Sequence, residues 1–254
     1  MQPRGIVSSQ RARRSSPSIG QAAWLRCLAR SAACSTFREC AASRRALFAI
    51  ASVIAVTGCT PKLTPLSGAP VPAERLPRPS IAPGHHKIVF NWELRDQDLD
   101  TRGEGVARIA APDSARLDFF LGGGIAGGAA VLIQESLQAP GGELVRRLVP
   151  PPTLLWAALG RVALPNLPDT VIRLEGETLR ADIGRPVAWR LSFHGDSLVR
   201  VERVAGGRVA EWIDRSDPSH VRYRDEGARR SLQLTITRTE EVPEFDASIW
   251  RIDR

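Results

Sequence analysis

Apolar and polar side chains alternate with a period of two over most of the chain after residue 85. In the clearest run, Ile88, Phe90, Trp92 and Leu94 share one face, and polar residues such as Asn91 occupy the other. Successive side chains of a strand point to opposite faces, so this pattern predicts half-buried strands. The predicted strands are 88–95, 103–110, 115–121, 128–136, 143–149, 170–175, 178–183, 187–194, 198–205, 208–214, 220–225 and 232–237.

Turn-forming residues separate most of these predicted strands. Examples are Pro112-Asp113, Gly141-Gly142, His194-Gly195-Asp196 and Gly206-Gly207. Gly, Pro, Asn and Asp favour the backbone angles that tight turns require. Short strands separated by turns at this spacing predict an antiparallel meander that closes into a barrel or a sandwich.

One segment interrupts the strand pattern. Three prolines at 150–152 are followed by Thr153, by helix-forming residues from Leu154 onward, and by Gly160. Thr153 is a candidate N-cap and Gly160 a candidate C-terminal stop, which predicts a short apolar helix. A single apolar helix within a β fold is expected to cover the interior as a plug or lid.

The net positive charge of the chain lies in its first quarter. The full chain has 35 basic and 27 acidic residues. Nine of the arginines but only one acid, Glu39, lie within 1–59, so 26 residues of each sign remain in 60–254. A nucleic-acid-binding domain needs an excess of cations to displace counterions from phosphates. The balanced body therefore argues against a nucleic-acid partner.

The end of this basic region has the pattern of an export signal. Arg44 and Arg45 precede the apolar run 46–56, which is too short to span a bilayer. The next residues, Val56-Thr57-Gly58-Cys59, resemble the lipobox of bacterial lipoproteins, in which the cysteine is lipidated and becomes the mature N-terminus. We therefore predict a basic leader and signal peptide over 1–58, with lipidation at Cys59. A buried helix that ends at a free cysteine is the alternative. For residues 1–43 we prefer a start site assigned too far upstream over a functional basic arm.

Residues 59–84 are predicted to connect the lipidated cysteine to a globular domain at 85–254. Residues 60–84 contain seven prolines, which disfavour helices and central strands and favour extended polyproline geometry. The segment is therefore expected to be a tether. Thr60 stands where an aspartate would favour retention in the inner membrane, so the predicted location is the periplasmic face of the outer membrane.

The globular part carries no recognisable catalytic or metal-binding pattern. All four cysteines lie within 1–59, so a disulfide or thiolate site is not expected in the body. The glycine-rich stretch 122–128 has no Gly-Lys-Ser/Thr ending and precedes a strand, unlike a phosphate-binding loop. His85 and His86 are adjacent and would point to opposite sides of a strand. We therefore expect no enzyme activity, no cofactor and no metal.

The glycine-rich stretch has a second interpretation. It connects two apolar strands and places Ile125 at the tip of a hairpin, among residues too small to cover it. An exposed large aliphatic side chain forgoes about 1.5–3 kcal/mol of transfer free energy. Ile125 therefore either folds back onto the barrel or inserts into a membrane or a partner.

Several features together resemble the LolA/LolB family of outer-membrane lipoprotein carriers and receptors. The lipobox before the linker is the first of them. The others are the opening strand with Phe90 and Trp92 that leads to a strand with Gly103 and Gly105, the Arg116–Leu121 strand that feeds the hairpin around Ile125, and the helix and turn from Leu155 to Pro165.

This resemblance implies a half-open antiparallel β-barrel with a short helical lid around an apolar cavity. It assigns Ile125 the role of the protruding leucine with which the family's receptor helps deliver lipoproteins to the bilayer. The expected cavity wall is Phe90, Trp92, Trp189 and Phe193, and the expected lid is Leu154, Leu155 and Trp156. For each of these aromatic and lid residues, ordinary core packing is the alternative.

The predicted function is a lipid-anchored envelope protein that binds acyl chains in this cavity and helps insert lipoproteins into the outer membrane. Its expected partners are the acyl chains of lipoproteins or other lipids, the membrane that holds its anchor, and a periplasmic carrier protein. The alternative is a structural or assembly lipoprotein that docks a protein partner and has a filled barrel. A continuous cavity favours the first function and a packed interior the second.

Overall fold

A computed structural model describes residues 62–252 of the chain. The predicted leader and signal peptide, and the predicted lipidation site Cys59, lie outside the described residues. Within 62–252 the strands are β1 (Ala69–Val71), β2 (Gly84–Arg95), β3 (Asp100–Ala111), β4 (Ser114–Leu121), β5 (Ile125–Ile133), β6 (Ser136–Gln138), β7 (Thr170–Glu175), β8 (Thr178–Ile183), β9 (Trp189–His194), β10 (Ser197–Ala205), β11 (Arg208–Asp217), β12 (His220–Asp225) and β13 (Arg230–Val242). The α-helices are α1 (Glu143–Leu148) and α2 (Pro152–Ala158), and short 3₁₀ turns lie at Ala73–Arg75 and Ala247–Trp250.

All the described strands belong to one antiparallel sheet with two free edges. Its order is β1-β7-β8-β9-β10-β11-β12-β13-β2-β3-β4-β5-β6. The N-terminal arm β2–β6 and the C-terminal arm β7–β13 are joined by the pairing of β13 with β2, which runs from Ser231–Arg95 to Val242–His85. The molecule is a mainly β, half-open barrel with a short helical lid, which confirms the predicted fold class.

The predicted alternation of buried and exposed residues is present in the central strands. Phe90, Trp92 and Leu94 of β2 are buried, whereas Asn91 and Glu93 between them are exposed. The same face continues into β13, where Leu232 pairs with Leu94 across the ladder. The apolar face of the sheet therefore lines the concave side that the helices cover.

The strand predicted at 143–149 is wrong, because this segment forms α1. Val145 and Leu148 are its buried residues, and their spacing of three is that of one helical face. The Arg147 guanidinium lies 3.1 Å from the Glu143 carboxylate, a pair one turn apart. The apolar residues of this segment fit the spacing of a strand as well as that of a helix, and packing against β5 selects the helix.

The predicted lid helix is present as α2, but its N-cap is wrong. Pro151 occupies the N-cap position, Thr153 lies inside the helix, and no side chain caps its N-terminus. Proline fits the start of a helix because the first amides have no intrahelical acceptor. Gly160, with φ of 98°, follows the helix as predicted, and its amide donates to Ala157 O at 3.0 Å.

The proline-rich segment lies against the barrel instead of extending away from it. We call residues 62–83 the strap. The Leu63 amide donates to Gly207 O at 3.0 Å, β1 pairs with β7, and the Val162 amide donates to Pro79 O at 3.0 Å. The predicted tether over 59–84 and the domain start at 85 therefore differ from the structure, in which the folded body already includes residue 62.

Candidate functional site

All the predicted cavity and lid residues lie in one packed core. Those residues, each buried, are Phe90, Trp92, Leu154, Leu155, Trp156, Trp189 and Phe193. The Trp92 indole donates to Glu104 O at 2.8 Å, and the rings of Phe90 and Trp92 contact Phe119 edge to face. Buried indoles require such a partner. The structure brings these residues together, but as core side chains rather than as the wall of an open space.

Two glycines of β3 make room for the aromatic side chains of β2. A Cβ on Gly103 would lie 2.6 Å from the Trp92 ring, and one on Gly105 would lie 2.4 Å from the Phe90 ring. No side chain fits at these positions without displacing an aromatic ring. The two glycines are therefore needed for the packing of the core. They belong to the residue pattern that carries the family resemblance.

A narrow apolar cleft separates the two helices from the sheet. It is lined by Leu117 and Phe119 of β4, Leu148, Pro150, Leu155 and Ala158 of the lid, and Ile213, Val221, Tyr223, Leu232 and Leu234 of β11–β13. Tyr223 is the one polar side chain in this lining.

The cleft is almost completely filled in this structure. Its volume is about 10 Å³, which is room for about one water molecule. Pockets that hold small-molecule ligands have about 300–1,000 Å³. The open cavity expected from the sequence is therefore absent between the lid and the sheet as they stand here. Of the predicted cavity and lid residues, only Leu155 lines the cleft.

Few polar contacts tie the lid to the sheet. The Arg215 guanidinium of β11 donates to Ala158 O at the end of α2, and burial lowers the pKa of this arginine. The Trp156 indole donates to Gln134 O at 2.6 Å. On α1, Arg147 lies 3.3 Å from the Asp96 carboxylate. A six-residue helix and a seven-residue helix are too short to persist alone, so these ties and the apolar contacts hold them in place.

One end of the cleft carries a buried polar network that the sequence did not predict. The Tyr223 hydroxyl donates to Glu211 Oε1 at 2.6 Å, and the Arg203 guanidinium contacts the second oxygen of the same carboxylate. Arg230 donates to the Tyr223 oxygen at 3.3 Å. The available signal was that Glu211 shares a strand face with Val209 and Ile213, which places a carboxylate on the apolar side of β11.

Burial is the largest cause that raises the pKa of Tyr223 above its usual value. The hydrogen bond to Glu211 and the negative charge of that carboxylate raise it further. The phenol is therefore held in its neutral, donating form beside the cleft.

The hairpin between β4 and β5 leaves Ile125 uncovered. Ile125 pairs with Leu121 across the hairpin, and its side chain is 66% exposed. The turn residues Gly123 and Gly124 have φ of 82° and 78°, a backbone region that disfavours larger side chains. In this structure Ile125 does not fold back onto the barrel, which was one of the two alternatives for this side chain.

Comparison with known proteins gives likenesses in structure alone. No family model matches the chain, and no curated protein is significantly similar to it. It is similar to the solved structure of a LolA superfamily protein from Nitrosomonas europaea, with 9% identity, a TM-score of 0.44, and coverage of 68% of this chain and 92% of that one. It is also similar to a putative outer membrane lipoprotein-sorting protein domain from Vibrio parahaemolyticus, with 9% identity, a TM-score of 0.40, and coverage of 66% and 89%.

A third similar structure is a DUF1329 family protein from Desulfovibrio piger, with 8% identity, a TM-score of 0.36, and coverage of 67% and 90%. The names of the first two match the family resemblance predicted from the sequence. The function proposed below rests on this chain's own residues. In the part of the chain that the structure describes, no helix is long and apolar enough to cross a membrane.

Proposed function

We propose that this protein is a lipid-anchored envelope protein that receives an acyl chain between its helical lid and its sheet and passes it to a membrane. The observation that carries the proposal is the cleft under α1 and α2, which is apolar along its whole lining except for Tyr223. Acyl chains need apolar walls and gain about 0.8 kcal/mol per buried methylene. Lipidation of Cys59 anchors the protein at the periplasmic face of the outer membrane, and a periplasmic carrier supplies the acylated cargo.

Binding of an acyl chain in this cleft requires the lid to move, because the free volume of the cleft is about 10 Å³ as it stands. Displacing α2 breaks the bond from Arg215 to Ala158 O and the bond from Trp156 to Gln134 O. An incoming chain replaces the apolar contacts that Leu155 and Leu148 make with the sheet. The acyl chain and the lid therefore compete for the same apolar face, and transfer runs on differential burial without covalent chemistry.

The test is lipid binding by the purified acylated protein. Native mass spectrometry is expected to detect co-purified lipid, and a fluorescent C16 fatty acid is expected to bind and be displaced by unlabelled acyl chains. Ala158→Leu adds bulk to the cleft and is expected to weaken binding of the probe severalfold. Ala73→Leu, at an exposed position outside the cleft, is the matched control and is expected to leave binding unchanged.

A packed interior is the expected sign of the alternative function, so the filled cleft favours a second candidate. An anchored scaffold that docks a protein partner needs no internal space, and the packing of Trp92 and Trp156 satisfies that description. Absence of co-purified lipid, together with no binding of the fatty-acid probe to a folded protein, would select this function over the acyl carrier.

A further inference from the structure

The sheet has two rims, one at each end of its strands, and the two rims carry different turns. In an antiparallel sheet, successive turns alternate between the two ends of the strands. The turns at 96–99, 122–124, 206–207 and 226–229 all lie at one end, which we call the Ile125 rim. The turns at 112–113, 134–135, 195–196 and 218–219 lie at the other end, which we call the far rim.

The strap begins at the Ile125 rim. Lys62 forms a β-bridge with Arg208, and the Leu63 amide donates to Gly207 O, so the first described residues are fixed to the β10–β11 turn. Cys59 precedes Lys62 by three residues, and three extended residues span at most about 10 Å. A lipid on Cys59 is therefore held within about 10 Å of this turn.

Further contacts fix the strap along its length. Arg190 is buried, and its Nε and Nη2 atoms donate to the two carboxylate oxygens of Asp182 at 2.7 and 2.9 Å. The same Nη2 atom also donates to Thr64 O at 2.7 Å. Releasing the strap at Thr64 would leave part of a buried guanidinium without an acceptor, which is costly. The chain is thus fixed to the body from Lys62 onward, three residues after Cys59.

We infer that the Ile125 rim is the membrane-facing end of the barrel, held against a lipid surface at two separate places. This inference rests on the proposed lipidation of Cys59. The first place is the anchor beside the β10–β11 turn, and the second is Ile125 on the β4–β5 hairpin. The two turns are six strand spacings apart along the curved rim, an arc of about 29 Å at roughly 4.8 Å per spacing. Two contacts on separate parts of the rim restrict the tilt of the body as well as its height.

The charges on this rim define the kind of lipid contact. Exposed side chains of both signs lie along this rim. Asp98 is on the β2–β3 turn and Asp100, the first residue of β3, pairs with Arg95. The cations at or beside the β10–β11 and β12–β13 turns are Lys62, Arg208 and Arg229. Because the charges are mixed, we attribute the contact to the acyl anchor and to an aliphatic side chain, and not to attraction by an anionic surface. The inference therefore predicts the same orientation on zwitterionic vesicles and little dependence on salt.

The experiment reads the orientation of the acylated protein in phosphatidylcholine vesicles. Lipidation blocks Cys59, so Gly122→Cys and Glu135→Cys each introduce the one free thiol after that residue for a fluorescent label. Gly122 lies on the Ile125 rim with open space around it, and Glu135 is exposed on the far rim. Nitroxide lipids are expected to quench the label at 122 several times more strongly than the label at 135.

A longer connection tests whether the strap sets this orientation. A Gly/Ser insertion of about twelve residues after Thr60 lengthens the reach of the anchor by roughly 20 Å. Combined with Ile125→Gln, it is expected to remove the difference in quenching between the two labels. The same insertion after Gly195, on the far rim, does not lengthen the anchor and is the matched control, which should keep the difference.

The outcomes separate this inference from the proposed function. Equal quenching at both positions, or stronger quenching at 135, in a protein whose mass shows acylated Cys59 overturns the inference and leaves the lipid anchor intact. A mass without acyl chains overturns both.

Discussion

The surroundings of Tyr223 determine the protonation state of its phenol. Burial and the Glu211 carboxylate both raise its pKa, because each disfavours the tyrosinate anion. The stability that this provides is present below the usual tyrosine pKa of about 10 and is lost as the pH rises towards the folded-state pKa. Tyr223 is the one tyrosine of the chain, so its titration is directly visible.

We therefore expect no tyrosinate absorbance at a pH where an exposed tyrosine is half ionised, about 10, as long as the protein stays folded. Glu211→Gln removes the nearby negative charge and is expected to lower the pKa of Tyr223, while burial still keeps it above the usual value. Half-ionisation of the wild type near pH 10 with circular dichroism unchanged would contradict the buried hydrogen bond.

Ile125 is the second residue for which a single substitution is informative. Ile125→Glu places a carboxylate on the hairpin, and a carboxylate resists entry into hydrocarbon. The variant is expected to abolish delivery of acylated cargo to vesicles while leaving acyl binding unchanged. Because Ile125 is exposed, the free energy of unfolding should change by no more than about 0.5 kcal/mol.

Ile133→Glu supplies the control for this substitution. Ile133 is the last residue of the same strand, lies on the far rim and is 39% exposed. This change adds the same charge at the other end of β5 and is expected to preserve delivery. Normal delivery by the Ile125→Glu variant would show that the hairpin tip has no part in transfer.

At the scale of elements, the strap depends on a glycine that no other residue can replace without movement. Gly68 has φ of 97°, and a Cβ there would lie 2.2 Å from Leu174 O. Gly84 has φ of 113°, but a Cβ there meets open space. The pair therefore separates the cost of an unfavourable φ, about 1–2 kcal/mol, from the cost of a collision with β7.

Gly68→Ala is expected to detach β1 from β7 and to raise hydrogen exchange and protease cleavage within 62–72. Gly84→Ala is expected to lower the free energy of unfolding by about 1–2 kcal/mol and to leave exchange in the strap unchanged. Equal exchange in the strap of both variants would mean that the strap is not held by the β1–β7 pairing.

The long strands were predictable and the placement of the strap was not, for different physical reasons. Alternation reports which face of a strand is buried, and this held for β2 from Phe90 onward and for β4, whereas in β9 Arg190 of the predicted polar face is buried as well. Apart from the 3₁₀ turn at Ala73–Arg75 the strap is extended, as its prolines favour, but composition does not reveal which edge an extended segment pairs with. Pro70 is compatible with β1 because β1 is an edge strand, where a missing amide donor is tolerated.

The candidate site was predictable only in part. Apolar periodicity identified core residues such as Trp92 and Leu155, but not which inward-facing residues lie under the lid, because that depends on where α1 and α2 cross the sheet. Glu211 breaks the apolar face of β11 and was visible in the sequence as an exception. Its pairing with Tyr223 and Arg203 requires the register of three strands and so emerges only from the fold.

At the scale of the whole molecule, the ladder between β13 and β2 joins the two arms of the sheet. It pairs residues near 85–95 with residues near 231–242, so both arms depend on a contact between distant parts of the chain. Such pairing is slow to form and brings no benefit until both arms are present. Phe90 and Trp92 on β2 and Leu232 on β13 place the core along this same seam.

Truncation after Arg229 removes β13 and is therefore expected to abolish cooperative unfolding of both arms. Truncation after Val242 removes the Phe245–Trp250 ring contact and the 2.6 Å bond from Arg116 to Ile249 O, but keeps the ladder. The shorter deletion is expected to unfold in one transition, coincident by circular dichroism and tryptophan fluorescence. If the chain cut after Arg229 kept that single transition, the two arms would be independent folding units, and lid opening would not need to be coordinated across the seam.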